Sequence, residues 1–64
     1  MKLTEQEKKA FELFAFGHNL SEISLIMGMS YQQAVNLMNK ILAKSPYKTA
    51  QELYANADSI EIED

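Results

Sequence analysis

The side chains best suited to recognition chemistry stand close together in "YQQAVNLMNKILAK", residues 31–44. Gln32, Gln33, Asn36 and Asn39 fall near one side of a helix in that register. An Asn or Gln amide carries both a donor and an acceptor, the pair that reads adenine N6 and N7 in a major groove. Lys40 and Lys44, with Lys48 just beyond, supply point charges for phosphates, which position a protein on a duplex without specifying its sequence. Tyr31, at the start of the stretch, can donate its hydroxyl to a phosphate or pack against the preceding segment. The plainer reading of this amide-rich face is solvated surface, and composition alone favours it.

No other residues form a reactive set. His18 is the sole histidine and has no cysteine or aspartate near it in sequence. There is no Gly-rich phosphate loop and no metal-ligand spacing, so the expectation is a protein that is not an enzyme, with no catalytic residues, metal or cofactor. The absence of cysteine removes disulfides and thiolate chemistry and fits a reducing compartment.

Charge is segregated along the 64 residues, whose net charge is −3. Residues 1–30 hold three lysines against four glutamates, residues 31–48 hold three lysines and no acid, and residues 49–64 hold five acids and no base. A local basic stripe can meet phosphates even when the whole chain is acidic. No apolar run approaches the roughly 20 residues that cross a bilayer, and "MKLTEQEKKAF" lacks the apolar stretch of a signal peptide. No membrane association and a cytoplasmic location are expected.

These residues must be positioned by helices, because one start signal recurs four times. A small polar residue is followed three positions later by Glu or Gln, the capping box that satisfies free helix N–H groups: Thr4 with Glu7, Asn19 with Glu22, Ser30 with Gln33, and Thr49 with Glu52. The stop signals agree. Gly17 and Gly28 suit left-handed helix ends, and Ser45-Pro46 ends the third helix because the residue before proline avoids helical angles. Apolar residues at helical spacing predict one core from Phe11, Phe14, Ala15, Ile23, Ile26, Met27, Ala34, Met38, Ile41, Leu42, Leu53 and Ala57. Met27, Met29 and Met38 read as gap-filling core residues, and Phe11, Phe14 and Phe16 as a core cluster with Phe16 reaching the surface. The fold class is all-α, with a domain over residues 1–57 and an acidic C-terminal tail over 58–64. The ending "DSIEIED" reads as a frayed tail, or else as a short extended segment in which Ile60 and Ile62 clasp a partner.

The second and third helices are joined by "GMS", a three-residue turn beginning with glycine, as in a helix-turn-helix. Together with "LTEQEKKAFELFAFG" and "NLSEISLIMGMS", this resembles the LuxR/GerE-type DNA-binding domain over residues 3–54. The matching positions are Leu3, Thr4, Glu7, Leu13, Ala15, Gly17, Glu22, Ile23, Ser30, Asn36, Ile41 and Lys44. The resemblance implies a four-helix GerE-like domain, double-stranded DNA as partner, transcription regulation as function, and a homodimer through helix 4 with Leu53, Tyr54 and Ala57 facing the second subunit. Because Met1 precedes the family's opening motif almost immediately, a domain standing alone, without a sensing or receiver domain, is expected.

The sequence departs from the family in helix 3. The family usually has threonine, then Val-Lys, then often histidine two residues on; this chain has Gln33, Ala34, Val35 and Leu37. Ser21 and Gln6 stand where the family tends to have lysine and arginine. Each lost phosphate contact lowers affinity and flattens its salt dependence, so DNA binding is expected to be weak alone or to need a dimer. Val35 and Leu37 would then expose apolar surface and suggest the alternative, a protein-interaction module or anti-regulator that binds a larger regulator; equally, a slight rotation of helix 3 would place both in the core.

Overall fold

The computed structural model describes residues 1–63 as four α-helices and a short 3₁₀ turn: α1 Glu5–Ala15, α2 Leu20–Met27, α3 Tyr31–Lys44, α4 Ala50–Ala55, and the turn Ala57–Ser59. Among the described residues no strand forms beyond one isolated bridge, and no helix is long and apolar enough to cross a membrane.

Three capping boxes close in full. Thr4 Oγ1 accepts from the Glu7 amide at 3.1 Å while Glu7 Oε1 accepts from the Thr4 amide at 2.8 Å. Asn19 with Glu22 and Ser30 with Gln33 repeat this exchange at 2.8–3.1 Å. At α4 only half of it forms: Thr49 Oγ1 accepts from the Glu52 amide at 3.1 Å, but the Glu52 carboxylate takes the Thr49 hydroxyl at 3.2 Å instead of the backbone N–H. Fewer free N–H groups are satisfied at this end, and the helix has only six residues.

Both glycines act as stops. Gly17 has φ +101°, and its amide reaches Phe14 O at 3.0 Å while that of His18 reaches Leu13 O at 3.1 Å, the paired bonds of a Schellman ending. Gly28 has φ +66°, with Met29 N donating to Ser24 O at 2.9 Å. A Cβ on Gly28 would meet nothing within 4 Å, so substitution there is opposed by backbone strain alone. Gly28→Ala is expected to cost about 1–2 kcal/mol and Gly28→Asn clearly less, read as urea midpoints; equal losses would mean that the left-handed turn carries no strain.

Leu3, Ala10, Phe11, Ile23, Ala34, Leu37, Met38, Ile41 and Leu53 are buried, and the helices close around them. The predicted core holds at Phe11, Ile23, Ala34, Met38, Ile41 and Leu53, while Phe14, Ala15, Met27, Leu42 and Ala57 are half-buried at its edge. Ile26 is a correction: it is 52% exposed. The inner stripe of α2 runs Leu20, Ile23, Ser24, Met27, the spacing of one helix face, and Ile26 flanks it. Ser24, small and buried, takes the inner position and returns its hydroxyl to Ser21 O at 2.7 Å.

The tail is a second correction. Residues 60–63 are not frayed: the Glu63 amide donates to Met1 O at 2.9 Å, the Met1 amino nitrogen donates to Glu61 O at 2.7 Å, and Lys2 and Glu63 form a parallel bridge. Ile60 and Ile62 turn to the core with Glu61 and Glu63 outward, the alternation of a half-buried strand. The clasp is therefore made to the chain's own start, and the 3₁₀ turn runs across the expected boundary at 57/58. Asp64 lies outside the described residues.

Candidate functional site

The third helix is anchored by Ala34, Leu37, Met38 and Ile41, which fixes what its other side presents. Gln32, Asn36, Asn39, Lys40 and Ala43 face outward and are exposed, a face of roughly 100° at 100° per residue. The structure thus brings Gln32, Asn36, Asn39 and Lys40 together. Within this face Gln32 Nε2 donates to Asn36 Oδ1 at 3.0 Å, which holds two of the amides in one orientation.

Two other predicted contacts are already engaged. Gln33 is exposed, but its carbonyl oxygen closes the cap on the Ser30 amide at 2.8 Å, which ties its amide to the helix start. Lys44 is drawn away from the outward face: its Nζ lies 2.6 Å from Glu7 Oε1, an oxygen that also takes the Thr4 amide. The Glu7 side chain is 4% exposed and that of Lys44 40%. The Lys44 hydrogen bond, aided by that of the Thr4 backbone, holds the Glu7 carboxyl below its usual pKa, against the opposing effect of burial. Lys40 and Lys48 are exposed.

Of the residues assigned to an interface, Leu37 and Leu53 are buried in the chain's own core; helix 3 is turned so that Leu37 joins it. Ala57 is half-buried in the 3₁₀ turn. Tyr54 remains 52% exposed while its ring packs edge-on against Phe14 at 5.7 Å. Val35 is half-buried, and its place reveals a feature that sequence reasoning missed.

Alongside α3 runs an apolar cleft of about 420 Å³. Tyr31, Val35, Met38 and Leu42 of α3 line one side, Phe14 and Leu20 another, and Ala50 and Leu53 of α4 a third, with His18, Asn19 and Asn39 as the polar members. The spacing 31, 35, 38, 42 is a second apolar stripe beside the core stripe, visible in the sequence once the core stripe is known. On the opposite flank of α3, Gln6, Gln33, Asn36 and Lys40 with Met29 and Leu37 line a polar depression of about 230 Å³. The outer side of α2 differs again, with Leu25 81% exposed beside Ile26. His18 Nδ1 lies 3.7 Å from Glu22 Oε1 at the surface, which gives the histidine a partner but no nucleophile. The chain has no significant match to a protein-family model, a curated protein or a solved structure.

Proposed function

We propose that this chain is a small helix-turn-helix domain of the LuxR/GerE kind that binds double-stranded DNA through α3 and regulates transcription. The observation that supports it is the outward face of α3, where Gln32, Asn36, Asn39 and Lys40 are exposed on one side of a helix anchored on the other. No carboxylate falls in sequence between Glu22 and Glu52 to repel phosphates from this face. Amides at such positions read base edges, and Lys40 with Lys48 holds the backbone. With Lys44 engaged by Glu7, few cations remain. The expected affinity is low, and a dimer through α4, with Tyr54 at its surface, would raise it.

Titration of the ¹⁵N-labelled chain with a mixed duplex pool at low and moderate salt tests this reading. Amide shifts confined to residues 30–48 that fade as salt rises are expected. Lys40→Ala should weaken binding to all sequences alike and lower the slope of log affinity against log salt by about one. A folded domain whose α3 amides do not move at low salt overturns the DNA reading. The exposed Leu25 and Ile26 favour a second reading, a protein-interaction module that binds a larger regulator, because the first helix of a helix-turn-helix crosses the phosphate backbone and these side chains offer it no charge.

A further inference from the structure

We propose that the cleft between α3 and α4 is a docking groove for a cationic amphipathic helix of a partner protein. Shape carries the first half of this inference. Tyr31, Val35, Met38 and Leu42 follow one another at intervals of four, three and four residues, the seam along which one helix packs against another. From Tyr31 to Leu42 that seam is about 16 Å long at 1.5 Å per residue, enough for three turns of an incoming helix. Met38 and Leu53 are buried and form the floor, while Val35 and Leu42 stay half-buried along its length.

Charge carries the second half. Glu22 Oε1 accepts from the backbone of cleft-lining Asn19 at 3.0 Å, which holds this exposed carboxylate beside the cleft where α2 starts. Glu52 Oε1 accepts from Thr49 at 3.2 Å, next to cleft-lining Ala50 where α4 starts. Both carboxylates sit at the helix starts beside the groove and not in its lining, Glu22 also 3.7 Å from Nδ1 of cleft-lining His18, and no lysine lines it; Lys48, one residue before Thr49, is the nearest cation in sequence. A groove apolar along its length with carboxylates at its borders is complementary to a helix bearing Leu or Phe on one face and Lys or Arg beside it. The inference does not depend on DNA binding. Where both hold, an occupant would cover Tyr31 and Asn39 and so compete with a duplex for α3.

The test is a ¹⁵N titration of the chain with a synthetic helical peptide of roughly 15 residues, about four turns, carrying leucines at four-three-four spacing and lysines near both ends. Amide shifts at Leu20, Tyr31, Val35, Leu42 and Ala50 are expected. The double variant Glu22→Gln/Glu52→Gln keeps the acceptor oxygens but removes the charges, and it should weaken the peptide roughly three- to tenfold and flatten the salt dependence. Absence of shifts, shifts mapping away from the cleft, or equal affinity for a peptide with glutamates in place of the lysines overturns the proposal. Cleft amides that move with the concentration of the free chain and not with peptide would show a second copy as occupant, and overturn it equally. No nucleic acid is present, so failure here leaves the duplex titration unaffected.

Discussion

Ile41→Ala is expected to leave the domain largely unfolded at physiological temperature. Ile41 has no exposed surface and lies on the inner side of α3 beside Leu37 and Met38. Truncating a fully buried isoleucine removes its transfer free energy and leaves a cavity, together costing about 2–5 kcal/mol. A chain of this length has a total stability of only about 3–10 kcal/mol. The measurement is a urea melt followed by circular dichroism, with the midpoint falling steeply and the slope nearly unchanged while the variant still folds. Ala43→Ser on the exposed side of the same helix is the control and should move the midpoint little. A small loss for Ile41→Ala would mean that the helices collapse readily into the space, and that the core holds α3 less firmly than its burial implies.

The second large effect concerns Glu7, whose carboxylate joins the start of α1 to the end of α3. Glu7→Ala removes the acceptor for the Thr4 amide and the partner of Lys44 together, and is expected to cost about 2–4 kcal/mol. This lies toward the lower end of buried pairs because the lysine is partly solvated. Glu7→Gln should cost less, since its carbonyl can still take the Thr4 amide. The pH dependence has a definite sign. The folded-state pKa of Glu7 is lowered from its usual 4.5, so its contribution to stability is fully present above that value and is lost as pH falls through the lower folded value. Acid titration of stability should therefore show a component below about pH 4.5 that is absent from Glu7→Gln. An unchanged acid profile in that variant would show that the Lys44 contact contributes nothing to stability.

Both variants test the same link between core and function. The outward residues Gln32, Asn36, Asn39 and Lys40 have a fixed aspect only because Ile41 and its neighbours set the rotation of α3, and Glu7 ties down its far end. A domain with so few buried side chains has little redundancy. Losses at either position should blur the α3 shifts in the duplex titration before they abolish the fold.

The sequence by itself determined the helices, because their limits are local. A Ser, Thr or Asn hydroxyl or amide bonds a backbone N–H two or three residues on, and a glycine takes a left-handed angle at the helix end; neither needs a distant partner. It also determined most of the core, since i, i+3 and i+4 apolar spacing reports the inner face wherever a helix is long enough to repeat it, as in the fourteen residues of α3. In α2, eight residues give barely two turns of periodicity, which does not separate the inner position of Ser24 from the exposed one of Ile26.

Only the tertiary structure decided the rest, and each case turns on contacts distant in sequence. Lys44 and Glu7 stand 37 positions apart, so nothing local shows that this lysine is paired within the chain. The tail is ordered by pairing with Met1 and Lys2 at the opposite end, which no reading of "DSIEIED" alone can supply. Leu37 and Val35 are two residues apart on one helix, yet the first is core and the second borders a cleft, because that division depends on where α1, α2 and α4 lie around α3. Local hydrogen bonds and periodicity are written into consecutive residues; burial, ion pairing and clefts are properties of how the helices pack, and these settle which of the candidate side chains are free to meet a partner.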